Sequence, residues 1–524
     1  MKNLTALILI FFLFSCSETK EKESHIAWFE GSVDDAFAES RKQNKPLFLY
    51  WGAVWCPPCQ EIKHTVFKSR RFIAQSKSFI PVYLDGDTET AQLNGEKFGV
   101  KGYPTMIIFN SKHEEITRIP GGIDISKYND ILALSLNSIS PTKSLVQKVL
   151  TEPASISADE VKQLAYYSWG QDTEARPKDS KQGSGQASEP ELFLTMSQIA
   201  ADLEPADEIS SARFYMQYLH ESIRAKKSKD GNEDGVKDIV LIEDAHKRIS
   251  SILASEELTL ACWDTIAYYA ADFLPYIADG ANAQSLSKEW QESILKLSKH
   301  PSLSIAEQLA GLLPTLEFYF SEEEERVLDS DLKLTVMTVI ENADKAAKNS
   351  FARQSVVNQM NYILQTAKLM TEAKSLLTKE LDRSPSPYYF MSSLGGIAEK
   401  EANFDLAIEW RRKAFEASVG RATRFQWGAN YVAALIRLKP EDPELILSTA
   451  IALFDELESG QDAFVGRNFR VLRSLNKKLI AYKGAKEDVT LTAFTASIEN
   501  RCQEQQSSSI AATNCASLKE KSEA

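Results

Sequence analysis

The sequence predicts a small α/β domain over residues 27–140 followed by a much larger all-helical region over residues 141–524. Three observations predict it. Between residues 27 and 137, helix-type and strand-type hydrophobic patterns alternate. From about residue 141 strand-like runs disappear, and Leu, Ala and aromatic residues recur at helical spacing to the end. Within that second region two helical stretches repeat at an offset of 34 residues, which brings Ala373 onto Ala407. A chain of 524 residues exceeds what one core usually serves, and a composition of 43% hydrophobic and 25% charged residues is that of ordinary folded protein. The net charge of −13, with no dense Lys/Arg block, argues against a nucleic-acid partner.

The N-terminus carries an address. Met1 to Asn3 form a short basic start, and Leu4 to Ser15 is almost wholly apolar. That run is too short to span a bilayer as a helix but fits the apolar core of a signal peptide. It ends in Leu13-Phe14-Ser15-Cys16, which resembles a bacterial lipobox with a bulkier residue than usual at Phe14. The resemblance implies cleavage before Cys16, lipidation of that thiol, and an extracytoplasmic (periplasmic) protein anchored to a membrane. Ser17 after the cysteine favours the outer membrane. Residues 17–26 are mostly polar and predict a flexible tether.

The α/β domain then reads element by element. Ser32 to Asn44 has helical spacing with Ser32 as its cap. Pro46 to Val54 ("PLFLYWGAV") has the length and content of a buried strand, and a helical stretch follows to about Lys68. Phe79 to Asp85 is a second strand, Thr90 to Gly99 a short helix stopped by Gly99, Pro104 to Asn110 a third strand and Glu114 to Gly121 a fourth. Ser126 to Asn137 closes the domain as a helix.

Two polar breaks interrupt the helical region, at about 170–191 and 225–238, and both predict mobile loops. The 34-residue offset also matches Met370 with Phe404, and it covers Val357 to about Val419. Leu394-Gly395 precedes Ala407, and Pro385 follows Ala373, at spacings that resemble the tetratricopeptide repeat. Arg411 stands where that family usually has an apolar residue.

Six cysteines are present. Export makes disulfides persistent. Cys502 and Cys515 flank a polar loop and are placed to close a local disulfide, while Cys262 lies in an apolar helical pattern and reads as a buried core thiol. Cys56 and Cys59 are different. They form Trp55-Cys56-Pro57-Pro58-Cys59, where a strand runs into a helix. Cys56 then sits at a helix N-terminus, whose free N–H groups and dipole favour a thiolate, and Cys59 lies one turn in, within reach. Proline in a first turn sacrifices few hydrogen bonds. Zinc would need four ligands, and the chain has no second CxxC; His64 is the single nearby histidine. A purely structural disulfide is the other alternative.

"FLYWGAVWCPPCQEIK", followed at a distance by "FGVKGYPTMIIF", resembles the thioredoxin superfamily. Periplasmic thioredoxin-like domains, including the terminal domain of DsbD-type proteins, are the nearest in pattern. The resemblance covers about 110 of the 524 residues. It implies that Cys56 attacks, that Cys59 resolves, that Trp55 packs before the nucleophile, and that Tyr103, Pro104 and Thr105 form the cis-proline segment bordering the substrate groove. The family's buried Asp, six residues before the first cysteine, is Tyr50 here, so Cys59 must lose its proton to water or another group, with Glu61 a candidate.

The function expected is thiol–disulfide exchange on protein disulfides, with no metal or cofactor and with a membrane electron donor of DsbD type to recharge the pair. Pro58 removes one of the N–H groups that would stabilise a Cys56 thiolate, which favours a reductase or isomerase over a strong oxidase. The alternative is an envelope-protein-binding helical scaffold with an accessory thioredoxin-like domain.

Overall fold

The computed structural model describes residues 25–120, 125–137, 140–172, 175–176, 189–229, 242–321, 323, 325–457, 461–482, 489–506 and 509–519. Cys16 and the expected signal and tether segments lie outside these residues, as does most of the two expected loops. Within the second loop the structure differs from expectation, because a helix that begins at Glu208 continues through residues 225–229 and ends at Lys229.

Four strands, β1 (Leu47–Gly52), β2 (Ile80–Asp85), β3 (Thr105–Phe109) and β4 (Glu115–Pro120), form one sheet in the order β2-β1-β3-β4. β1 runs parallel to β2 and antiparallel to β3, and β4 returns antiparallel to β3. The period-2 alternation of strand side chains builds a core on each face. Phe48, Tyr50, Met106 and Ile108 pack on one side with α2 (Pro57–His64), α3 (Arg70–Gln75) and α5 (Ile125–Asn137). Leu47, Leu49, Trp51, Ile107 and Phe109 pack on the other with α1 (Val33–Gln43) and α4 (Glu89–Lys97). Ser32 caps α1 in a full capping box with Asp35. α3 was not legible, being a single short turn-and-a-half whose one buried apolar residue, Phe72, gives no periodicity. β1 ends at Gly52, two residues short of expectation, and Val54 is left half exposed.

The helical region begins against the sheet. The outer edge of β4 would otherwise present unpaired backbone groups. Thr142 Oγ1 and Gln163 Nε2 donate to Ile116 O, at 2.7 Å and 2.5 Å, and the Ser168 N–H donates to Arg118 O at 2.8 Å. Two large cores follow, one around Phe273, Trp290, Leu316 and Met360, the other around Phe425, Leu447, Phe454 and Leu472. Between them helices Ser350–Thr366, Met370–Glu380, Tyr388–Lys400, Phe404–Ala417 and Arg421–Leu438 each pack on the next. Ala373 and Ala407 are fully buried, and a Cβ on Gly395 would sit 3.2 Å from Ala407 O, so small residues permit close helix approach there. Arg411 donates to Ser392 Oγ across the same contact. Among the described residues no helix is long and apolar enough to cross a membrane.

Candidate active site

Cys56 is the N-cap residue of α2, with extended backbone, and Pro57 and Pro58 occupy the first turn. Cys56 and Cys59 are joined as a disulfide with Cα atoms 5.2 Å apart. With no N–H on either proline, the Cys59 N–H is what the turn offers Cys56 Sγ, at 3.3 Å. Trp55 precedes the pair, and its ring meets that of Tyr103 with centroids 6.2 Å apart. The Tyr103–Pro104 peptide is cis, and Tyr103 packs against the cysteines. Gly86 makes room for that ring: a Cβ there would lie 2.4 Å from it. Thr105 Oγ1 lies 2.7 Å from Gly102 O and 2.8 Å from Gln171 Oε1, and Gln171 Nε2 donates to Pro104 O at 3.4 Å.

Beneath the pair, the Tyr50 hydroxyl donates to Cys59 O at 3.4 Å, and burial pushes its ionisation up, so it stays protonated. The Glu61 carboxyl is pushed up to about 7 by burial first and by Glu307 second, with the nearby Ser355 hydroxyl opposing this. Glu61 therefore belongs to an interface with the helical region, in a cavity of about 350 Å³ lined also by Pro57, Pro58, Asp264, Tyr268 and Glu307. Cys502 and Cys515 are joined, with Cα atoms 5.6 Å apart, and Cys262 is a buried thiol outside both disulfides.

One expectation fails. A reactive thiol is expected to be partly exposed, yet Cys56 is 3% exposed and Cys59 1%. The cause is the helical region, which lies over the dithiol face. Gln354 Nε2 donates to Trp55 O at 3.3 Å, and the Arg467 guanidinium stacks over the Trp55 ring at 4.3 Å.

This cover is fixed by the α/β domain itself. The helices Arg421–Leu438 and Gly466–Ala481 both lack a side-chain cap from their own N-cap residue. A helix start leaves backbone N–H groups that need acceptors. Asp87 supplies one: its Oδ1 accepts the Thr423 N–H at 2.7 Å and the Thr423 hydroxyl at 2.6 Å. On α4, Gln92 Oε1 accepts the N–H groups of Arg467 and Asn468 at 2.8 Å and 3.3 Å, and Glu96 Oε2 accepts that of Gly466 at 2.8 Å. Gly420 (φ +92°) and Gly466 (φ +58°) allow the approach, since a Cβ would lie 2.6 Å from the Asp87 carboxyl and 2.8 Å from Gln92 O. None of these contacts carries a signal in the sequence, because each joins residues hundreds of positions apart.

Residues 28–111 match the thioredoxin-like family. Protein disulfide-isomerase erp38 of Neurospora crassa is 28% identical over 93 residues, which are 18% of this chain and 25% of the relative. The chain thus spans a quarter of that relative's length. A solution structure from Bacteroides thetaiotaomicron, provisionally titled a disulphide-isomerase, is 27% identical and covers 22% of this chain and 98% of its own, with a TM-score of 0.20. The chain carries a thioredoxin-like, disulfide-isomerase-related domain fused to a large all-helical region.

Proposed function

We propose that the chain is a thiol–disulfide oxidoreductase acting on polypeptide disulfides. The observation that carries this is the Cys56–Cys59 pair at the start of α2, with one N–H on Cys56 Sγ and the cis Tyr103–Pro104 segment packed beside it. In the dithiol form Cys56 attacks a client disulfide as thiolate. One client sulfur bonds to Cys56, and the other leaves with the electron pair and takes a proton. Cys59, deprotonated, then attacks Cys56 Sγ, the second client thiolate leaves, and the pair is left oxidised. The client has gained two electrons and two protons, and a dithiol donor must return them. A single N–H donor on Cys56 favours a reductase or isomerase over a strong oxidase. The finer reading places the protein outside the cytoplasm, lipid-anchored through Cys16 and recharged by a membrane donor of DsbD type, with tetratricopeptide-like helix pairs within its helical region.

The test is mixed-disulfide trapping with Cys59→Ser in the source organism. Discrete adducts that vanish in Cys56→Ser/Cys59→Ser are expected. An absence of adducts, with Cys56 reduced and alkylatable, would overturn the reading. The burial of Cys56 favours a second reading, a helical scaffold whose thioredoxin-like domain is a structural accessory. On that reading the double variant keeps every partner and every phenotype of the native chain.

A further inference from the structure

The helical region does more than bury the dithiol. Between it and Trp55 and Tyr103 lies a cavity of about 350 Å³, a volume suited to a few residues of peptide. Four cations line it, Lys101 from the loop before the cis peptide and Arg467, Arg470 and Lys478 from the Gly466–Ala481 helix, and among the described residues no Asp or Glu does. This is unusual in a chain of net charge −13. The nearest carboxylates, Asp87 beside Arg467, Glu96 beside Arg470 and Asp172 beside Lys101, attract these cations from outside the cavity lining, while Asp87 hydrogen-bonds Thr423 and Glu96 hydrogen-bonds Gly466 and Asn514. Arg470 is held by the carbonyls of Val100 and Lys101 at 3.2 Å and 3.3 Å. The Arg467 guanidinium lies over the Trp55 ring at 4.3 Å and 6.0 Å from the Tyr103 ring centroid, and its Nη1 is buried with no hydrogen-bond partner among the described residues. A buried guanidinium with an unmatched donor is costly and prefers a carboxylate.

Resting on the oxidoreductase reading, we propose that this cavity is a carboxylate-recognition site that selects short, extended, acidic segments flanking a client's disulfide-bonded cysteine. The groups that touch the acid are Arg467, Arg470, Lys101 and Lys478, and the cysteine is delivered past Trp55 and Tyr103 to Cys56. The close cover over Cys56 excludes a folded client surface and admits an extended strand of peptide.

Two measurements test it with the full chain. In the first, Cys56→Ser/Cys59→Ser protein is titrated with redox-inert peptides in which serine replaces cysteine, flanked by Glu, Gln or Lys. The Glu peptide is expected to bind at least tenfold tighter than the Gln peptide, with the preference falling as salt rises. In the second, native protein reduces the matching cysteine peptides, presented as disulfide-linked homodimers, with dithiothreitol supplying two electrons and two protons per disulfide. A tenfold higher kcat/KM for the Glu peptide is expected, shrinking at least threefold in Arg470→Gln and in Lys478→Gln, neither of which removes the Trp55 stack. Equal binding and equal reduction of all peptides overturns the cavity's role and leaves the oxidoreductase reading standing. Selective binding without reduction of any peptide overturns the oxidoreductase reading, and with it the substrate role, while the carboxylate site stands. Should Gln at both positions leave the preference unchanged, the assignment to this helix falls.

Discussion

Two cavities of about 350 Å³ each border the residues next to the Cys56–Cys59 pair, one at Trp55 and one at Pro57 and Pro58, and they carry opposite charge. The one beyond Trp55 and Tyr103 is lined by Lys101, Arg467, Arg470 and Lys478. The one beyond Pro57 and Pro58 is lined by Glu61, Asp264 and Glu307, with no Lys or Arg among its described residues. The α/β domain's own part of the site is almost neutral: two thiols, two prolines, Trp55 and Tyr103. Most of the charge on both sides comes from the helical region. The difference teaches that most of the charge beside the dithiol is brought there by the docking of the fused helices and not by the CPPC sequence.

That lesson fails at once if nothing reacts between the cavities. Cys56→Ser is therefore expected to have the largest effect, lowering reduction of an extended, disulfide-linked peptide by a dithiol supply to the uncatalysed rate. Reduction at the native rate would remove the chemistry from the site.

The acidic cavity is sharpened by pH. Glu61 titrates at about 7 in the folded chain against an ordinary 4.5, so between those values the folded state holds a proton that the unfolded state has lost. The contribution of Glu61 to stability is then full below about pH 4.5 and is lost as pH rises through 7, by an amount on the order of 3 kcal/mol. Glu61→Gln should flatten that decline in denaturant titrations at pH 5 and pH 8. A native chain equally stable at both, with no change in the variant, would show that Glu61 is not held against Glu307.

The docking common to both cavities is broken more gently. Asp87→Ala removes the acceptor at the start of the Arg421–Leu438 helix and is expected to cost about 1–2 kcal/mol. Gly466→Ala forces a Cβ towards Gln92 O at positive φ and should cost about as much. In both, alkylation of reduced Cys56 should accelerate as the cover loosens; an unchanged rate would mean the cover opens elsewhere. The smallest effect belongs to Gln171→Ala, which removes a long hydrogen bond to Pro104 O and one to Thr105, at about 0.5–1 kcal/mol by thermal melting.

Much of the α/β domain was legible because its signals are local. Ser32 as a cap, the short continuous apolar runs of β1 and β3, and a strand running into Cys56 are each read within a few residues. The helices around Ala373 and Ala407 were legible for the same reason. The cover over Cys56 was not legible because nothing near it in the chain says that Gln354 and Arg467 lie on Trp55. Glu61 was noticed as a proton acceptor for Cys59, but its neighbour Glu307 was not, and that neighbour places it at an interface.

By itself the sequence determined the α/β pattern, the helical remainder and the pairing of two thiols across one helical turn, since hydrophobic period, caps and turn residues act over a few positions. Only the tertiary structure decided that the thiols are covered and that opposite charges face them. The helices that do this are capped by Asp87, Gln92 and Glu96 from 336 to 376 residues away. Backbone N–H groups at a helix start donate to any well-placed oxygen, so their need is written in the local chain but their partner is not.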